Sequence, residues 1–305
     1  MLLKQILDGL NEVCKTTQIK TNIELSDYTT FQVGGPAEIF VAPDDRDLVA
    51  ILNYCVKNNV KYTVLGHGSN VLVSDKGVKG VTIVIGKAMS EVIVSSNTII
   101  AKAGALLSSV ARSAVGNSLT GFEFAAGIPG TVGGACVMNA GAYDGEFKNV
   151  LVSVRVFDPS DCSVKDIPAE DLALSYRHSI IPEKGYVVLE ATMRLLEGDI
   201  TEIQNKMNGF AKLRREKQPL EYPSAGSTFK RPEGYFAGKL IQEAQLRGVC
   251  VGDAQVSDKH CGFVINRGGA QAADIYDLIN EVIERVEEVH GVTLEPEVKL
   301  IGDFA

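Results

Sequence analysis

Apolar positions along this chain change period several times, and those changes divide it into elements. Leu3, Ile6, Leu7, Leu10 and Val13 recur at helical spacing with Asp8 and Glu12 between them, which predicts a packed N-terminal helix rather than a signal-peptide core. A strand is expected over 37–42. A helix then runs from Asp44 to about Asn58, started by Asp44 and Asp45 after Pro43 and buried along Leu48, Ile51, Leu52, Cys55 and Val56. Strand-like runs at 61–65 and 71–73 enclose a short loop, Gly66-His67-Gly68-Ser69-Asn70.

Further strands are expected at 81–85, 91–94, 98–103, 150–157 and 186–195, with a helix over 106–115. Near Asp199 the pattern turns into a polar helix ending in Leu213-Arg-Arg-Glu-Lys-Gln-Pro219. The last helix spans 272–290, with Ile275, Leu278, Ile279, Val282, Ile283, Val286 and Val289 inward and Gly291 as its C-cap. Mixed strands and helices predict an α+β chain built of α/β subdomains, divided as 1–86, 87–199 and 200–305. No internal repeat, low-complexity run or long linker interrupts it.

One stretch follows neither period. Between Phe122 and Glu146, glycines 127, 130, 133, 134, 141 and 145 fall among small or apolar residues with little charge. A backbone so stripped of side chains can meet a large ligand face directly, and its N–H groups can form an anion-binding nest. A nucleotide cofactor fits, although a glycine-rich turn that only permits close packing fits the run equally well. The spacing Gly127-x-x-Gly130-x-x-Gly133-Gly134 matches neither the dinucleotide fingerprint nor the P-loop. The loop 66–70 favours the cofactor reading, because Ser69 and Asn70 add side-chain donors between two strands.

Size and charge narrow the function. A chain of 305 residues exceeds what one core of roughly 250–300 residues organises. With 45% hydrophobic and 22% charged residues and no apolar run near the ~20 needed to cross a bilayer, a soluble enzyme without membrane insertion is expected. A net charge of −8 disfavours nucleic acid. Lys206, Lys212, Arg214, Arg215, Lys217, Lys230, Arg231 and Lys239 nonetheless concentrate positive charge in one region, suited to a small anion if they are more than a solvated face. Six cysteines without a C-x-x-C pair and four dispersed histidines predict neither structural zinc nor disulfides, which suits a reducing cytoplasm.

Thr29-Thr-Phe-Gln-Val-Gly-Gly-Pro-Ala37, the 66–70 loop and the glycine-rich stretch, in that order, closely resemble the UDP-N-acetylenolpyruvoylglucosamine reductase family over about 29–300. The resemblance implies a vanillyl-alcohol-oxidase (PCMH) type FAD fold in two subdomains, with a C-terminal α+β domain for the sugar nucleotide. It also implies non-covalent FAD, NADPH as hydride donor, and reduction of UDP-N-acetylglucosamine enolpyruvate to UDP-N-acetylmuramate for peptidoglycan. A cytoplasmic monomer is expected. The short passage from Ser175 to Gly185 looks like the family's shorter type.

Cofactor contacts are thereby expected from Gly66, His67, Gly68, Ser69, Asn70, Gly127, Ile128, Pro129, Gly130, Thr131, Gly133, Gly134 and Ala135. Sugar-nucleotide contacts are expected from Lys217, Lys230, Tyr235 and Gln255, with Arg231 either strengthening diphosphate binding or facing solvent. The family's catalytic residues map to Arg177, Ser227 and Glu297. The guanidinium fork of Arg177 suits a planar carboxylate, although alone it would read as a surface ion-pair residue. Ser227 closes a turn fixed by Pro223 and Gly226. Glu297 follows Pro296, with Glu295 its positional rival. The chain departs from the common family pattern at His67, Arg231 and Cys261-Gly262. His67 is read as a tolerated turn residue rather than a covalent flavin tether. The competing functions are an FAD-dependent alcohol or sugar oxidase and a non-catalytic flavin or nucleotide-binding module.

Overall fold

A computed structural model describes residues 3–304; Met1, Leu2 and Ala305, including the first two residues of the expected N-terminal helix, lie outside the described residues. The chain forms two compact units, each assembled from separated stretches. The first comprises the chain up to Thr21, Ile39–His67 and Gly80–Lys212; the second comprises Asn22–Glu38, Gly68–Lys79 and the chain from Leu213 onward.

The first unit carries two sheets. Five antiparallel strands lie in the order Ser163–Pro168, Leu151–Asp158, Val187–Arg194, Thr98–Lys102 and Val92–Ser95. The other sheet has the order Ile19–Glu24, Pro36–Val41, Val78–Val84 and Tyr62–Leu65, with the last two parallel. Its strands at 19–24, 36–41 and 78–84 each cross a unit boundary. One core, including Leu10, Ile39, Leu48, Ile51, Leu52, Ile83, Phe147, Val156, Phe157 and Met193, runs under both sheets. Fully burying each such large side chain contributes about 1.5–3 kcal/mol. Asp44 starts helix Asp45–Lys57 by accepting from the N–H groups of Arg46 and Asp47.

Asp47 is a charged residue inside that unit. Its carboxylate accepts from the backbone N–H groups of Lys15 (2.9 Å), Thr16 (2.8 Å) and Thr17 (2.6 Å), tying the connection after helix Leu3–Val13 to the next helix. Burial alone would raise its pKa, but these donors outweigh it and hold the carboxyl well below its ordinary range.

The second unit has its own core, from Phe31, Val33 and Leu72 through Phe229, Leu240, Ile241, Val264, Ile275, Leu278 and Val282 to Leu294 and Val298. Strands Cys250–Val251, Ala254–Val256 and Val264–Asn266 form an antiparallel sheet, and Val71–Val73 pairs in parallel with Lys299–Ile301. Helix Ala272–His290 ends at Gly291 with φ 64°, as its sequence predicts. Its start has a support from far along the chain: the Asp75 carboxylate accepts from the N–H groups of Ala272 and Ala273, each at 2.9 Å.

Several expectations shift. The two compact units divide the chain differently from the predicted segments 1–86, 87–199 and 200–305. Their last boundary falls inside helix Ile200–Lys217 rather than at Asp199, and two early stretches join the C-terminal part. Leu3 and Val289, both predicted to face inward, are exposed because each lies at the end of its helix, beyond the packed stripe. The glycine-rich stretch is not open coil. It contains helix Val132–Met138 and a hairpin of Gly141–Ala142 with Gly145–Glu146, whose turn places Tyr143 (φ 51°) and Asp144 (φ 63°) in the left-handed region.

Candidate active site

In the first unit, Gly66 lies against Thr131. A Cβ added to Gly66 would collide with the Thr131 hydroxyl, so the absence of a side chain lets the two sequence motifs approach. Gly130 O accepts from Leu107 N (3.0 Å), and Thr131 bridges Leu106. Not every N–H in this stretch is available to a ligand. Val132 N donates to Ala105 O (2.9 Å), Gly133 N to Ala103 O (2.8 Å), Ala135 N to Thr131 O (2.9 Å) and Ile128 N to Ala125 O (3.1 Å). The first two fix the segment against the connection between strand Thr98–Lys102 and helix Leu107–Gly116, and the other two are internal to it.

Thr131 and Ala135 are buried, whereas Gly127, Pro129 and Gly134 are exposed and Ile128 is half-buried. A Cβ on Gly134 would meet nothing closer than the Thr131 hydroxyl at 3.8 Å. The protein's own packing therefore does not require glycine there. The exposed His67 does not take the left-handed turn. Gly68 does, with φ 65°, and a Cβ there would strike Tyr28 O.

Arg177, also in the first unit, occupies a two-residue turn closed by reciprocal bonds between Ser175 and His178, both 3.2 Å. Its φ of 53° is uncommon for a long, non-glycine residue. The guanidinium donates to Gly141 O (3.1 Å) and lies 5.0 Å from the centre of the Tyr176 ring. Asn139, buried and left-handed at φ 42°, donates through Nδ2 to Ser175 O (2.9 Å) and Glu146 Oε2 (2.8 Å), while its Oδ1 accepts from Lys148 N (2.9 Å). A hydrogen bond from Lys148, against the opposing cost of burial, lowers the Glu146 pKa, with Asn139 and the Arg177 charge acting in the same direction.

The second unit brings Ser227 and Glu297 onto adjacent backbone. Glu297 N donates to Thr228 O (2.8 Å), Phe229 bridges Pro296, and Lys230 N donates to Glu295 O (2.8 Å). Thr228 is fully buried, with its hydroxyl accepting from Val264 N (2.9 Å), which anchors the turn that leaves Ser227 exposed. Glu297 is half-buried. The loop residue Asn70 joins this group: its side chain donates to Glu297 O (3.2 Å), and its own carbonyl accepts from Lys299 N (3.0 Å). Gly68 and Ser69 fall in the same unit.

The basic residues are divided between the two units, and several have acidic partners. Lys206 and Lys212 belong to the first unit, where Lys206 lies 3.6 Å from the buried Glu123. Lys230 pairs with Glu295, and Lys239 lies 3.6 Å from Glu243. Arg231 donates from Nε to Tyr235 O (3.2 Å) and stacks 3.9 Å from the centre of the Phe236 ring. Lys217 and Tyr235 are exposed, and Gln255 donates to Gly248 O (3.1 Å). Lys217, Lys230, Arg231, Tyr235 and Gln255 thus share one unit with Ser227 and Glu297, while Arg177 belongs to the other.

The sequence reading missed Asn139, Glu146 and Asp75. An asparagine following the small and apolar run 132–138 inside the glycine-rich stretch is a helix C-cap signal and could have exposed Asn139; no local pattern announces the partners of the other two.

Comparisons with known proteins identify the family. Residues 36–166 match the family model described as FAD binding domain, and residues 218–301 match UDP-N-acetylenolpyruvoylglucosamine reductase, C-terminal domain. UDP-N-acetylenolpyruvoylglucosamine reductase of Clostridium novyi is 51% identical over 295 residues, covering 96% of this chain and 95% of the relative. The protein of that name from Agathobacter rectalis is 53% identical, covering 91% and 92% respectively. Among solved structures, the Thermus caldophilus UDP-N-acetylenolpyruvylglucosamine reductase superposes with a TM-score of 0.80 at 34% identity, over 94% of this chain and all of the other.

Proposed function

The chain belongs to the UDP-N-acetylenolpyruvoylglucosamine reductase family and is an FAD-dependent oxidoreductase, and we propose that it reduces the enolpyruvyl ether of UDP-N-acetylglucosamine to UDP-N-acetylmuramate at the expense of NADPH. Bound FAD supplies a hydride acceptor and donor, so oxidation of NADPH and reduction of the vinyl ether can proceed as separate halves. FAD is held without a covalent bond, by the backbone around Gly66 and by 127–135.

The observation that carries this reading is the grouping of Ser227, Glu297, Lys230 and Glu295 on two paired backbone segments. Adding hydride to the terminal vinyl carbon leaves negative charge at the carbon bearing the carboxylate. A guanidinium on that carboxylate, here Arg177, stabilises the charge as it develops. Ser227 is exposed and turn-mounted, which supports its assignment as the proton donor to that carbon, and Glu297 on the adjacent segment is assigned to polarise the double bond. Exposed Lys217 and the Lys230–Glu295 pair, in the same unit as Ser227 and Glu297, are assigned to the diphosphate. An oxidase acting on an alcohol has no use for carboxylate activation or for a proton donor in the second half.

The decisive experiment supplies NADPH with either the enolpyruvyl nucleotide or oxygen as acceptor. Rapid turnover with the nucleotide is expected. Turnover with oxygen alone would replace the reading with an oxidase, and bleaching by NADPH without recovery on adding the nucleotide would reject the substrate. The protein is expected to be a cytoplasmic monomer, which sedimentation of the purified holoenzyme checks for the oligomeric part.

A further inference from the structure

We propose that Asn139 is the positioning residue for Arg177, holding it in the left-handed turn from which its guanidinium is presented; this rests on the assignment of Arg177 to the substrate carboxylate. A long side chain at φ 53° persists only where its surroundings over-determine the backbone. Both flanks of this turn are tied to the end of helix Val132–Met138. On one side Asn139 donates to Ser175 O (2.9 Å); on the other the buried Ser179 hydroxyl donates to Val137 O (2.7 Å). The guanidinium then reaches Gly141 O, two residues beyond Asn139.

The chemistry of Asn139 fits this task and admits little else in its place. Both donor positions of its Nδ2 face acceptors and its Oδ1 accepts from a backbone N–H, so the orientation of the amide is set by the surroundings. Asparagine also tolerates the left-handed conformation at φ 42°. Aspartate would keep the size and that tolerance, but would set a carboxylate oxygen against Ser175 O and the Glu146 carboxylate. The turn would lose its tie without a change in volume.

The test separates the two halves of the reaction per mole of bound flavin. Asn139→Asp holoenzyme should be reduced by NADPH at close to the wild-type rate, then reoxidised by UDP-N-acetylglucosamine enolpyruvate about 10-fold to 100-fold more slowly, the cost of a small displacement of a positioned group. A residue that only supports the fold would lower the melting temperature or the flavin content and leave both rates per flavin unchanged; that result overturns the proposal. Should Asn139→Asp not retain FAD, Ser179→Ala loosens the opposite flank and must slow reoxidation in the same selective way, and unchanged reoxidation there also overturns it. Arg177→Ala serves as the reference. If it reoxidises normally, the assignment of Arg177 has failed; if it is slow while the Asn139 and Ser179 variants are fast, only the positioning role has failed.

Discussion

The side-chain amide of Asn70 donates to the backbone carbonyl of Glu297 at 3.2 Å, across 227 positions of sequence. A residue assigned to the cofactor by its place in the 66–70 loop thus holds the segment that carries the expected acid group. Asn70→Ala should remove about 1 kcal/mol of stability, the worth of one such bond. It should also lower kcat for the enolpyruvyl nucleotide while the purified protein stays fully yellow. Colourless Asn70→Ala protein would make the residue a flavin ligand first and a brace for Glu297 second.

Glu295 and Glu297 are separated by one residue, yet they face different tasks. Glu295 pairs with Lys230, so Glu295→Gln frees that ammonium and should change KM for the sugar nucleotide with kcat nearly kept. Glu297→Gln should lower kcat. Steady-state kinetics on the two variants checks the split; a large kcat loss in Glu295→Gln would exchange the roles.

Ser227 is assigned to the second half of the cycle alone. A serine hydroxyl gives up a proton usefully only to a strongly basic centre, and such a centre develops on the substrate after hydride arrives, not while NADPH is oxidised. Ser227→Ala should bleach normally with NADPH and reoxidise slower by roughly 10²–10⁴-fold. Equal slowing of both halves in stopped-flow absorbance would reduce Ser227 to a turn residue.

What was legible in the sequence is what depends on near neighbours. The stripe of helix Ala272–His290 up to Val286, its Gly291 cap and the Asp44 cap follow from residues within a few positions, and each is found. Asp75 capping that same helix was invisible, because its partners lie 197 and 198 residues away and its own surroundings read as an ordinary turn. The left-handed Arg177 was hidden for a similar reason: arginine carries no propensity for that conformation, and the ties that impose it come from Asn139 and Val137. The acidic partners of the basic stretch were equally hidden, because charge was counted along the chain, whereas Lys206 and Glu123 pair within one unit and Lys230 and Glu295 within the other.

Acid stability should carry the signature of Asp47 and Glu123. Burial opposes ionisation of both; the N–H donors from Lys15, Thr16 and Thr17 in one case, and the Thr120 hydroxyl, backbone N–H groups and Lys206 in the other, outweigh it, so both folded-state pKa values are depressed. A depressed carboxyl contributes stability that is fully present above its unfolded pKa, about 4, and lost as pH falls through that value toward the folded one. Asp47→Asn should therefore cost about 1.5–3 kcal/mol near neutrality, with the gap to wild type closing as pH falls below about 4. A gap independent of pH, read from urea unfolding at several pH values, would show that the carboxylate charge is not what stabilises this junction.

Gly134 separates a packing need from a ligand need. A Cβ there meets only the Thr131 hydroxyl, at an ordinary 3.8 Å, and its φ is not left-handed, so alanine introduces neither collision nor backbone strain. Replacing an exposed helical glycine by alanine ordinarily stabilises by up to about 1 kcal/mol through the smaller entropy of the unfolded chain. Flavin-free Gly134→Ala protein should therefore melt at or above the wild-type apoprotein temperature. If FAD lies against this backbone, the added methyl occupies space that the cofactor needs, and the same variant should elute from gel filtration with much less flavin and regain activity only when FAD is added in excess. Gly66→Ala gives the contrasting case, since its Cβ collides with the Thr131 hydroxyl and should lower apoprotein stability as well as flavin content. Gly134→Ala protein that stays fully yellow and active would place the cofactor elsewhere and leave this glycine without a ligand to explain it.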